Sequence, residues 1–134
     1  MKYAVTNCKI LSGKKDMEVI EGYHILVDNG KITALTKQDE AVPKEYKVID
    51  AGGKYVMPGL INMHVHLAGN GKPQKKQRDN EKLVKKIMSN GLTRAIAYKL
   101  VCGFAKKELL SGVTTIRTVG GLADFDGRLR DDIA

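Results

Sequence analysis

His64 and His66 carry the sharpest chemical signal in this chain, set one residue apart in the run Leu-Ile-Asn-Met-His-Val-His-Leu over residues 60–67. The run is nearly continuous in apolar character and of strand length, which suits a strand buried on both faces of a covered parallel sheet. Along a strand, residues i and i+2 point the same way, with Cα atoms about 6.6 Å apart. Two imidazoles at that spacing can converge on one metal ion at roughly 2.0–2.1 Å per nitrogen. Two ligands are fewer than the three or four that zinc takes. The same spacing also suits two histidines satisfied by backbone partners. Spacing alone leaves both readings open.

The surrounding elements must place that pair. Residues 2–11 are rich in strand formers, with Asn7 blurring the register. Residues 23–27 and 32–35 flank Asn29-Gly30, the favoured two-residue hairpin turn because both positions need positive φ. A short strand at 47–50 turns at Gly52-Gly53 into 55–57, and 36–46 reads as a loop. Pro58-Gly59 then breaks the pattern, a domain boundary on sequence grounds. Beyond the histidines, 68–80 is a polar loop rich in glycine and lysine. Leu83, Val84, Ile87 and Met88 share one helical face, with Asn80 as expected N-cap and Gly91 as expected C′ residue. Leu92, Ile96, Leu100 and Phe104 form the i, i+4 row of a second helix that ends at Ser111-Gly112. Residues 113–119 are a β-branched strand, and a further helix is expected from Asp126.

Composition sets outer limits. A chain of 134 residues can hold a real core, but a closed (β/α)8 barrel needs roughly 200 or more. Cys8 and Cys102, 94 positions apart, suggest neither a disulfide scaffold nor a zinc finger. The first residues lack the apolar core of a signal peptide, and no apolar run has the length of a membrane span. The expected compartment is the cytoplasm, with no membrane partner. The net charge of +8 is concentrated: residues 72–107 hold eleven basic and two acidic groups. That tract reads as a solvated helix face with a loop, or as contact with a polyanion. Tyr98 and Phe104 are too few aromatics for a nucleic-acid stacking platform.

The run from Ile49 to Leu67, through Pro58-Gly-Leu-Ile61 into His64-Val-His66, resembles the start of the amidohydrolase superfamily barrel. Asp28-Asn-Gly-Lys-Ile32 resembles that family's D-G-R-I hairpin. Residues 109–121 (Leu-Leu-Ser-Gly-Val-Thr-Thr-Ile-Arg-Thr-Val-Gly-Gly) resemble the second barrel strand of imidazolonepropionase-like and prolidase-like members. The resemblance implies a metal-dependent hydrolase of amide or cyclic amide bonds, with one or two divalent ions, zinc first, and a small amide or dipeptide-like substrate. His64 and His66 match the first two metal ligands. The family's remaining ligands (a modified lysine or glutamate, two histidines and a proton-handling aspartate) come from later strands. Asn62 stands where many members have Asp, on the histidine face, so it bears on the surroundings of the ligands. Arg117 and Thr118, near the end of the second strand, are candidates to face substrate, although spacing does not assign them.

The expected fold is therefore α/β with an all-β N-terminal part. Residues 1–57 form a partial β-sandwich, and 58–134 form the first βαβ segment of an incomplete TIM-like barrel. Open sheet edges and two-faced apolar strands lead us to expect a homo-oligomer or the remainder of a longer chain as partner. The alternative is a non-enzymatic truncated or accessory protein that binds anions through 72–107.

Overall fold

Asn7 takes a positive φ of 50°, and that one residue divides the first β segment between two sheets. Strand β1 (Lys2–Thr6) precedes it and β2 (Lys9–Leu11) follows it. The chain continues through β3 (Val19–Ile20), β4 (Tyr23–Asp28), β5 (Lys31–Lys37), β6 (Lys47–Asp50) and β7 (Tyr55–Val56). One sheet has the order β5-β4-β1-β6 and the other β3-β2-β7. The β6–β7 segment changes sheets beside Asn7, running parallel to β1 and then to β2. Asn7 ties the two crossings together. Its side-chain amide donates to Asp50 Oδ1 at 3.0 Å, and its carbonyl accepts from the Gly53 amide at 2.7 Å.

The β4–β5 hairpin turns through Asn29 (φ 49°) and Gly30 (φ 77°), as the sequence predicts. β5 runs on to Lys37, beyond the expected end at 35, and β3 was not foreseen. Two residues are too few for a period-2 pattern to show. Cys8, Ile10 and Ile25 form the buried core of this half, with Val5, Ile20 and Val56 packed against it.

In this computed structural model residues 1–69 and 79–134 are described, and the chain divides into Met1–Pro58 and Gly59–Ala134. The second unit begins with β8 (Leu60–Val65), followed by α1 (Asn80–Met88), α2 (Gly91–Leu110), β9 (Val113–Thr118) and α3 (Phe125–Ile133). β8 and β9 pair in parallel with helices between them, a βαβ arrangement. At the β8 entrance Gly59 lies against Thr114 so closely that a Cβ would overlap its side chain.

Two capping expectations need correction. Asp79 rather than Asn80 caps α1, its Oδ1 accepting from the Lys82 amide at 3.0 Å. Gly91 opens α2 instead of closing α1, because Asn90 Oδ1 takes the Leu92 and Thr93 amides at 2.7 and 3.2 Å. In both places the N-cap is the side chain that reaches two or three residues ahead. α3 likewise starts at Phe125, one residue before the expected position.

The core of this unit gathers Val65 and Leu67 with Tyr98 and Val101 of α2 and Phe125 and Leu129 of α3. Residues 60–67 are not buried on both faces as expected: Ile61 is 64% and Met63 58% exposed. Only the last residues of the run reach the helices, and two strands cannot cover the rest.

α2 and α3 are also joined by polar contacts. Tyr98 stacks edge-on against Phe125, donates its hydroxyl to Asp132, and carries the Arg128 guanidinium 4.0 Å above its ring. Arg94 donates twice to Asp124, at 2.9 and 3.1 Å. A hydrogen bond from its own backbone amide and then the Arg94 guanidinium hold the Asp124 carboxyl below the usual carboxylate range. A depressed folded-state value contributes stability above the unfolded pKa, about 3.9 for Asp. That contribution is lost as pH falls through the folded value. Asp124→Asn is therefore expected to flatten the acid limb of the stability–pH curve, read by urea unfolding between about pH 5 and 2. The effect at neutral pH is expected to be small, because both partners are exposed.

Candidate metal centre

Val65 is the residue that aims the two histidines. Its side chain is buried in the core, so the alternation of the strand puts His64 and His66 on the opposite face. Both imidazoles are exposed. Their Nε2 atoms lie 3.3 Å apart, with ring centroids separated by 5.2 Å and planes inclined at 64°. The pair converges at its tips.

The outer nitrogen of His66 is held from β9. Val119 donates its amide to the Val65 carbonyl at 3.1 Å, extending the parallel pairing, and the next residue, Gly120, presents its carbonyl oxygen 3.1 Å from His66 Nδ1. A Cβ on Gly120 would touch the imidazole at 3.4 Å. One on Gly121 would overlap the Asp126 carboxylate. The paired glycines thus let the chain pass between the ring and the start of α3. The sequence shows Gly120-Gly121 as a turn; its carbonyl as a histidine partner depends on a pairing across 54 residues.

Asn62 acts on backbone rather than on a ring. Its Oδ1 accepts from the His64 amide at 3.2 Å, and the β8–β9 register shifts between Asn62 and Val65. An amide captured by a neighbouring side chain is lost to the ladder, which accounts for the irregularity just before the histidines. Arg117 is exposed on β9. Thr118 pairs with Val65 and lines a cleft with Leu67, Asp126 and Leu129, against α3 rather than with the imidazoles. Of the basic tract, Lys107 lines a depression beside His66 with Phe104 and Glu108. Lys72, Lys75, Lys76 and Arg78 lie outside the described residues.

Two nitrogens bound to one ion at roughly 2.0–2.1 Å and at the tetrahedral angle stand about 3.3–3.4 Å apart. The observed Nε2 separation fits that edge. Among the described residues no group of three or more His, Cys, Asp or Glu is placed to hold a metal, so the donor set suits two positions of a zinc shell. None of the described helices is long and apolar enough to cross a membrane.

Known proteins resemble this chain in sequence, and others in fold. An imidazolonepropionase from Geobacillus kaustophilus is 32% identical over 126 residues, covering 79% of this chain and 30% of that protein. A 5-methylthioadenosine/S-adenosylhomocysteine deaminase from Bacillus anthracis is 40% identical over 68 residues, 50% of this chain and 16% of the other. Among solved structures, a Bifidobacterium longum protein assigned as a prolidase superposes with TM-score 0.72 and 30% identity, over 98% of this chain and 26% of that one. A Xaa-Pro dipeptidase with bound methionine in the active site gives TM-score 0.71 and 25% identity, over 99% of this chain and 30% of that one. The chain therefore spans less than a third of the length of each of these proteins. A sequence model of the amidohydrolase family matches residues 47–118. That match runs from the first residue of β6 to the last of β9 and takes in both histidines, and the chain belongs to the amidohydrolase family.

Proposed function

We propose that this chain supplies the first two metal ligands, His64 and His66, of a metal-dependent amidohydrolase acting on a C–N bond of an amide or cyclic amide. An imidazolonepropionase-like or Xaa-Pro dipeptidase-like substrate is the reading favoured. The observation that carries it is the 3.3 Å approach of the two Nε2 atoms at the end of β8. When bound, a divalent ion, zinc in the first instance, supplies an activated water and polarises the scissile carbonyl. The chain's own part is to hold two imidazoles with their tips together and to leave that face of β8 open.

In this reading residues 1–57 are a partial β-sandwich domain and 58–134 open a (β/α)8 barrel, with the histidines at the C-terminal end of its first strand, where such barrels build their sites. Asn62 shapes the backbone beneath His64. Arg117, exposed on β9, is the residue proposed to approach substrate, whereas Thr118, the other sequence candidate, lines the cleft against α3. Exposed Leu60, Ile61 and Met63 support association with a second copy or with further chain. The 134 residues alone are proposed to be inactive.

Zinc titration by calorimetry tests the metal reading. The wild-type chain is expected to bind zinc weakly, since two ligands fall short of a full shell, and His64→Ala is expected to abolish the binding. Equal affinities for the two proteins would count against a site here. Salt-sensitive binding of a polyanion, without any zinc response, would favour the non-enzymatic alternative through the basic tract.

A further inference from the structure

The two imidazoles of the pair are not equivalent, and the difference originates in a backbone carbonyl. Gly120 O stands 3.1 Å from His66 Nδ1. A carbonyl oxygen can only accept, so Nδ1 carries the hydrogen and Nε2 of the neutral ring carries the lone pair. That lone pair meets His64 Nε2 across 3.3 Å. A hydrogen bond across that contact would take its proton from His64 Nε2.

We infer that Gly120 is a positioning residue for the candidate metal centre: it sets His66 in advance with a free Nε2 and leaves His64 as the only ring that must rearrange. The inference rests on the metal reading for its purpose and on the hydrogen-bond geometry for its substance. To serve as a metal donor through Nε2, His64 would have to carry its ring hydrogen at Nδ1 instead, exchanging the two positions with solvent. His66 needs no such change. A Cβ at position 120 would already touch Cε1 and Nδ1 of His66 at 3.4 Å. That separation is ordinary contact, so a β-branched side chain, with carbons beyond Cβ, is the substitution expected to crowd the ring. Partners of this kind, which orient a ligating histidine through its other nitrogen, typically change metal affinity by 10–100-fold when mutated.

Long-range 1H–15N NMR of the metal-free 134-residue chain, at about pH 8 where histidine is ordinarily neutral, reads the ring tautomers directly. The expected result is Nδ1–H for His66 and Nε2–H for His64. Added zinc should convert His64 to the Nδ1–H pattern and leave His66 in it. In Gly120→Val, His66 should lose its Nδ1–H preference and the zinc Kd should rise by about 10–100-fold. An Nε2–H ring at His66 in the wild-type chain overturns the inference, and that measurement needs no variant to fold. An unchanged zinc Kd in Gly120→Val overturns it as well. If His66 shows Nδ1–H but neither ring responds to zinc, the metal reading fails and Gly120's role in positioning a ligand fails with it, while the hydrogen bond stands.

Discussion

Phe125→Ala is expected to lower the unfolding free energy by about 3–5 kcal/mol, the usual cost of emptying a buried aromatic site. Phe125 is wholly buried, and its ring meets Tyr98 edge-to-face at 5.4 Å between centroids. It also begins α3, so one side chain anchors that helix to both α2 and the β8–β9 pair. Natural domains hold about 5–15 kcal/mol in total, so the loss would consume a large share. Urea unfolding followed by circular dichroism should show the midpoint fall, with Phe125→Leu falling less because it keeps much of the apolar volume. A midpoint shift corresponding to under about 1 kcal/mol for alanine would mean that α3 is not held by this contact.

The second large effect is a silence. Loaded with zinc, the 134-residue chain is expected to hydrolyse no amide, acyl-proline dipeptide or cyclic amide above the uncatalysed rate. Enzymes of ordinary competence accelerate their reactions by about 10⁶-fold or more, so the contrast is wide. The reason is the donor count. Two imidazoles converge, and among the described residues no third ligand joins them. Among the described residues Asp126 Oδ1 is a buried carboxylate oxygen without a partner, and that carboxylate lies against Gly121. Turnover by homogeneous chain that stops on addition of a chelator would overturn this expectation, and loss of that turnover in His66→Ala would place it at the pair.

Local chemistry determined a good deal of this protein through sequence alone. The Asn29-Gly30 hairpin was legible because two adjacent positive-φ positions admit few residues. The helices were located by their apolar spacing, but the row read for α2 is exposed at Leu92, Ile96 and Leu100 and the helix buries Tyr98 and Val101 instead. The metal candidates were legible because strand alternation puts i and i+2 on one face. The family was legible in motif blocks, of which the match over 47–118 takes in Ile49 to Leu67 and most of 109–121, while the Asp28–Ile32 hairpin lies outside it. The N-cap of α1 was off by one, since Asp79 and Asn80 are neighbours of similar aptitude, and Gly91, expected to close α1, opens α2 behind Asn90.

What only the tertiary structure decided depends on partners distant in sequence. Asn7 divides one β segment between two sheets because Asp50 and Gly53 stand beside it. His66 acquires a defined acceptor because β9 lies parallel to β8 and delivers Gly120. Asp124, although placed to cap α3, gives its carboxylate to Arg94 on another helix. The strand that holds the histidines is covered at one end alone, because burial depends on how many elements gather around it, and spacing along the chain carries no record of that number.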